Sequence, residues 1–317
     1  MACPELSCIV EMADLFETSV DTLLGYRFRN NDRESTVKRL QSYKHNLHPG
    51  DLSDAEKALQ KYPNNFEVVY ACASLYRLHA IQGKDEKLLR RALELHRQAC
   101  LLIDQNRDSS ISLLSIRIRM AELHYALGDT QTAVRILEKE NPLGINNSQI
   151  GSYLAQDGRC GEAQPYLCQA LLDNFTDQFH IVNGYLNIYD KQEAWQDALD
   201  ILLLPLATIR ILRRDDCVSF LQRVEAFYLV YAAYAHFRLG QRSQAEADLD
   251  AALAAAREFD TDPSRDANRI RFVSLSQPHS GYDDLGGTGA ELVLDMVKQM
   301  DNKDFNTFWE AHIHEKE

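Results

Sequence analysis

The chain has 317 residues, 45% of them hydrophobic and 26% charged; it is long enough for one large domain or two ordinary ones, and its composition is neither disordered nor collagen-like. Lys and Arg number 34 against 47 Asp and Glu, a formal net charge of −13. That sign excludes diffuse binding to DNA or to an anionic membrane and leaves only a local basic patch for such contacts. No apolar stretch approaches the ~20 residues of a membrane span. Met1-Ala2-Cys3-Pro4-Glu5 lacks the basic region and apolar run of a signal peptide. The seven cysteines (3, 8, 72, 100, 160, 168 and 217) form no CxxC pair, as expected for reduced core thiols in the cytoplasm.

In chain order, residues 4–16 form an amphipathic helix with Ile9, Met12, Ala13 and Phe16 on one face. Ser19 then caps a second short helix that ends at Gly25. Tyr26 to Arg33 reads as a connector. From there on the spacing is helical: Gly and Pro number 14 and 8 and fall between long stretches, and apolar residues recur every three or four positions. An early unit runs from Ala55 through Pro63-Asn64-Asn65 to Ala73 and Tyr76. Three later units share a turn glycine, then an alanine, then a leucine four positions on: Gly128, Ala133, Leu137; Gly158, Ala163, Leu167; Gly240, Ala245, Leu249. A fourth carries Trp195, Ala198 and Leu202 without the glycine. Ala121, Gly151 and Ala233 each lie seven residues before a turn glycine. The key alanines 133, 163, 198 and 245 are 30, 35 and 47 apart. The longest interval predicts an extended helix or an insertion around Ile209 to Ser219. No convincing strand is seen.

Small residues at fixed places let neighbouring helices approach, and the large apolar residue fills the gap between them. One such pair cannot bury its apolar face alone, so pairs stack. The pattern resembles the tetratricopeptide repeat (TPR) family, whose period is about 34 residues, from about residue 34 to about 260. Glu140 departs from the small residue usual at its place. The run Ala13-Asp14-Leu15-Phe16-x-x-Ser19-Val20-Asp21-x-Leu23-Leu24-Gly25 resembles the last two helices of the Cro/C1-type (XRE family) helix-turn-helix domain. The first three helices of that domain, including the one that reads the major groove, have no counterpart here, so no DNA-contacting residue is carried over. The two resemblances together imply an all-α right-handed superhelix of TPR-like helix pairs with a helix-turn-helix remnant. The expected divisions are a remnant at 1–26, repeats at 27–260 and capping helices at 261–317. The implied function is the sensor and interaction part of a cytoplasmic transcriptional regulator, a homodimer that holds a peptide or protein ligand in its concave groove. DNA would enter only through the incomplete N-terminal head. The alternative is a stand-alone interaction scaffold with no DNA role.

In such a superhelix the first helix of each pair lines the groove. The stripe predicted there carries Tyr70, Ser74 and Arg77, then Glu122 and Tyr125, then Asn183, Asn187 and Lys191, then Val230, Tyr234 and Arg238. Asn183 and Asn187 share a helix face, and two amides so placed can bond a peptide backbone. The ligand-binding expectation therefore rests on Asn183, Asn187, Tyr70, Arg77, Tyr125, Tyr234 and Arg238. Gly286-Gly287-Thr288-Gly289 lacks the lysine and spacing of a phosphate loop and reads as a turn capped by Thr288. His45, His48, His312 and His314 lack partners at zinc-like spacing, and Cys160 and Cys168 read as core thiols. No catalytic signature appears, and no enzyme activity, metal or cofactor is expected. The face formed by Leu292, Val293, Met296 and Val297 must be buried, either in a dimer or as a cap on the last repeat.

Overall fold

Capping residues and turn glycines set the helix ends of this chain. The computed structural model describes residues 6–18, 20–23, 33–277, 279–281 and 285–314. Ser19, Gly25 and the connector from Tyr26 to Asp32 lie outside them. Among the described residues there is no strand, and one isolated bridge pairs Asp266 with Ser280. The chain divides into two compact units, Met1–Glu140 and Asn141–Glu317. That division falls inside the span predicted as one repeat domain.

The first unit contains α1 (Leu6–Leu15), α2 (Val20–Leu23), α3 (Arg33–Ser42), α4 (Asp51–Lys61), α5 (Phe66–Gly83), α6 (Glu86–Leu101), α7 (Leu113–Ala126) and α8 (Thr130–Lys139). A 3₁₀ turn, Tyr43–His45, follows α3. Asn65, Asp85, Ser112 and Asp129 each accept a main-chain N–H of the helix they start, so α5 to α8 all begin on a side-chain cap. Successive helices pack as hairpins, α4 on α5, α5 on α6 and α7 on α8. Leu40, Ala55, Phe66, Val69, Leu75, Leu95, Ile116 and Leu123 fill the core. Helix α1 packs on α2. Of the face predicted for α1 only Ala13 is buried; Met12 and Phe16 are 45% and 61% exposed.

The second unit contains α9 (Asn147–Gln156), α10 (Cys160–Gln192), α11 (Trp195–Leu212), α12 (Phe220–Arg238), α13 (Arg242–Thr261), α14 (Gly289–Gln299) and α15 (Lys303–His314). Here α10 is one unbroken helix of 33 residues, about 50 Å long at 1.5 Å per residue. It supplies the second helix of one predicted pair and the first helix of the next. It packs on α9 and on α11. The wide interval before Ala245 is taken up by α11, which runs through Pro205 to Leu212, and by the loop to the Ser219 cap of α12.

The turn glycines behave as predicted. Gly128, Gly158 and Gly240 have φ of +81°, +78° and +74°, the left-handed region that a side chain disfavours. Ala133, Leu137, Ala163, Ala198, Leu202, Ala245 and Leu249 are buried, whereas Leu167 is 40% exposed. Helix α14 buries Leu292, Val293, Met296 and Val297 against its own unit and packs on α12 and α13. That face is a cap, not a dimer surface.

The glycine run before α14 holds no vacant anion site. Thr288 and Glu291 form a capping box. The Asp260 carboxylate accepts the Gly289 and Ala290 N–H groups at 2.6 and 3.0 Å. The positive end of the helix is thus already met by the protein's own anion. The Arg223 guanidinium, fully buried, stacks on Phe259 at 4.6 Å and donates to the carbonyls of Gly286 and Gly287.

Candidate functional site

In the first unit the stripe predicted from two successive hairpins comes together. Arg77 of α5 donates through Nη1 to Glu122 Oε2 of α7 at 3.0 Å. Arg119, one turn before Glu122, donates to its other oxygen at 2.6 Å. One carboxylate therefore serves two guanidinium groups. The Tyr70 ring stacks on Phe66 at 5.7 Å and meets His96 edge-on at 6.3 Å. Ser74 turns its hydroxyl back to the Tyr70 carbonyl of its own helix. Tyr125 is half-buried near the end of α7.

Burial followed by Arg119 pulls the Arg77 guanidinium below its usual value, against the pull of Glu122. Lys44, in the 3₁₀ turn beside α5, is also pushed down, first by desolvation and then by Arg77. Its side chain makes no hydrogen bond or ion pair among the described residues. Below Tyr70 lies His96, fully buried, with Nδ1 2.7 Å from the Ala92 carbonyl and Nε2 without a partner. Desolvation brings the imidazole down to about 4; the Ala92 bond opposes the shift, and Arg77 and Arg119 add to it. Sequence reasoning missed Lys44, His96 and Arg119. Arg119 was visible as the partner three residues before Glu122, but a lysine in a turn and one histidine on an apolar face give no signal.

The second unit places its predicted residues differently. Asn183 is half-buried with its Oδ1 enclosed and unpartnered. Asn187 is exposed, and its amide donates along the helix to the Asn183 carbonyl at 2.9 Å. Val230 and Tyr234 are 0% and 4% exposed, so they belong to the core and not to a groove wall. Phe305 of α15 packs on Tyr234 at 5.1 Å and Trp195 meets it at 5.3 Å. Arg238 covers Trp195 at 4.3 Å, donates to the Tyr234 hydroxyl and pairs with Glu193. Tyr234 is therefore corrected from a ligand platform to a packing residue, with Arg238 as its lid.

A cleft of about 700 Å³ beside α10 is lined by Ser148, Gln169, Asp173, Phe175, Asp177 and Phe220 among others. None of the predicted ligand residues borders it. Cys168 is buried, but Cys160 at the start of α10 is exposed, which corrects its assignment to the core. Among the described residues no group of three or more His, Cys, Asp or Glu is placed to hold a metal ion, and no helix is long and apolar enough to cross a membrane.

If Asn183 and Asn187 serve a ligand and not the fold, replacing both by alanine should leave stability within about 1 kcal/mol, since neither bonds another helix. A urea melt checks this. A larger loss would show that the asparagines hold the unit together.

No family model matches the chain, and no curated protein matches it. Among solved structures, BtubC (BKLC) from P. vanneervenii is 17% identical, with 77% of this chain and 99% of that chain covered, at a TM-score of 0.30. A putative kinesin light chain with nearly identical TPR-like repeats from Podosopora anserina is also 17% identical, with 64% and 99% covered, at 0.28. At these scores neither likeness carries weight for the fold or the function of this chain.

Proposed function

We propose that this chain is a protein-interaction module that holds an extended peptide segment of a partner against the first helices of its hairpins. One observation carries the reading: Arg77 and Glu122, predicted on one stripe from separate hairpins, meet at 3.0 Å and so bring α5 and α7 to a common polar surface beside Tyr70. Tyrosine faces and desolvated arginines are the groups that peptide surfaces favour, because they combine contact area with directed hydrogen bonds. The test is selection of peptides from a displayed random library on the immobilised chain, followed by titration of the winners. Selected peptides are expected to bind wild type and to lose about tenfold or more on Arg77→Ala where the first unit holds them, or on Asn183→Ala with Asn187→Ala where the second unit does. A library that yields no binder would remove the reading.

The finer reading makes the module the sensor of a transcriptional regulator, and it is supported by the resemblance of Ala13 to Gly25 to a helix-turn-helix end. The net charge of −13 predicts that this chain alone does not hold duplex DNA specifically. Binding to its own upstream region at a Kd of about 10⁻⁸ M or tighter at moderate salt would overturn that expectation. A homodimer belongs to the same reading, formed elsewhere than on the apolar face of α14. Light scattering that gives a monomer mass at high micromolar concentration would remove it.

A further inference from the structure

The cleft beside α10, about 700 Å³ in volume, falls within the size range of ligand sites. Its walls are held in place from outside. The turn Pro142–Gly144 forms one rim, braced by Asn141, whose amide donates to Asn147 Oδ1 at 2.9 Å and whose Oδ1 accepts the Asn146 N–H at 2.8 Å. The segment from His279 to Gly281 forms another, tied by the Ala267 N–H to the His279 carbonyl and by the Gly281 N–H to the Arg265 carbonyl. The floor is apolar, with Leu172 and Phe175 of α10 buried beside Phe220 of α12. Asp173 and Asp177 line the same cleft one helical turn apart. Gln169 donates to Asp173 Oδ1 at 2.8 Å, whereas Asp177 has no hydrogen bond or ion pair among the described residues. Like charges at this spacing repel each other, and the lining supplies no lysine or arginine among the described residues to relieve them. A chain with 13 more acidic than basic side chains leaves carboxylates unpaired on open surface. These two stand over an apolar floor, where water screens less and a cation gains more than it does in an exposed ion pair. At the rim Leu143 is fully exposed and holds φ at +56°, a conformation that a bulky side chain disfavours. Ile145, two residues on, is 54% exposed. The turn thus holds strain while presenting two apolar side chains beside an acidic recess.

We propose that this cleft binds an extended segment of a partner protein in which an arginine is followed by large apolar residues. The guanidinium lies across Asp173 and Asp177, and its planar fork of N–H donors serves both carboxylates through charge-assisted bonds. Asp173 keeps Oδ2 for this contact while Gln169 holds Oδ1. The apolar residues leave the cleft over Leu143 and Ile145 and cover them. That rim favours a peptide over a small guanidinium compound, because a ligand confined to the floor would leave Leu143 in water. The site stands apart from the reading above, whose anchor is Arg77 in the first unit, and either can fail alone.

The experiment is fluorescence anisotropy with a fluorescein-labelled octapeptide, Ser-Gly-Ser-Arg-Leu-Leu-Gly-Ser, titrated with the full chain. The same peptide with glutamate in place of arginine is the charge control, and agmatine is the small guanidinium competitor. Wild type is expected to bind the arginine peptide and not the glutamate peptide, and added salt should weaken the complex. Asp177→Asn should weaken binding about threefold, and Asp173→Asn with Asp177→Asn about tenfold or more. Asp177→Asn should not move the thermal melt, since the Asp177 carboxylate bonds nothing among the described residues. Leu143→Gly should weaken binding about threefold and leave the melt unmoved or raised, because glycine takes a positive φ without strain. Asp295→Asn removes one charge from the exposed face of α14 and should leave affinity unchanged. No binding of the arginine peptide at millimolar concentration, or binding indifferent to the changes at Asp173 and Asp177, would overturn the proposal. Affinity unmoved by Leu143→Gly, or agmatine competing as well as the unlabelled peptide, would assign the cleft to a small guanidinium compound and overturn it too. If library-selected peptides are lost on Arg77→Ala while the octapeptide fails to bind, this site falls and the reading above stands.

Discussion

Replacing Gly289 by alanine is expected to cost the second unit about 3 kcal/mol or more and to lower its Tm by roughly 10 °C. A methyl group at Gly289 would stand 2.5 Å from the Ala256 carbonyl oxygen and 2.8 Å from its Cα. Both atoms are backbone of α13, which no side-chain rotation can move aside. Helix α14 would have to lift away, stretching the bonds that bring Gly289 and Ala290 N–H to Asp260. The packing of Val293 and Met296 would loosen with it. Gly287→Ala is the control, because a methyl group there meets only Glu291 Oε2, the end of a flexible side chain. Its cost should stay below about 1 kcal/mol. Equal melting of the two variants would show that α13 and α14 do not hold each other at that distance.

Acidification should destabilise the first unit through His96. Its folded pKa is lowered from 6.5 to about 4, first by burial. Between those values the unfolded chain binds the proton that the folded chain refuses, so stability falls as pH is lowered through the window from 6.5 towards 4. Above 6.5 the imidazole is neutral in both states and the penalty vanishes. At 1.36 kcal/mol per pH unit the loss approaches about 3 kcal/mol near pH 4. Urea midpoints for wild type and His96→Leu at pH 7 and pH 4.5 measure it. Carboxylates contribute to both proteins, so the expected result is a smaller acid loss in the variant. An identical loss would show that His96 takes up its proton without opening the core.

The fold was legible where local chemistry decides it. Gly128, Gly158 and Gly240 announce their turns because a positive φ without a Cβ is the low-cost way to end a helix. Ala133, Ala163 and Ala245 were legible because only a small side chain lets the paired helix approach. The continuity of α10 was not visible in the repeat pattern. Between Pro165 and Gly184 nothing stops a helix, and a repeat expectation supplied a break that the residues do not contain. In the site, Arg77 and Glu122 were found by their register on first helices. Tyr234 had the same register, yet Phe305 of α15 covers it from 71 residues further along the chain, a contact that no local pattern encodes.

The unbroken α10 changes how the second unit should come apart. Hairpin repeats ordinarily exchange free energy only with their neighbours, so an array opens piecemeal from its ends. Here the partner of α9 and the partner of α11 are one rod, and neither half can melt without leaving helical hydrogen bonds of the other half at a frayed end. Amide protons of α9, α10 and α11 should then exchange with solvent at similar free energies of opening, as a single block. The gradient expected of independent repeats should be seen in the first unit, where a turn or loop separates each of the helices α3 to α8 from the next.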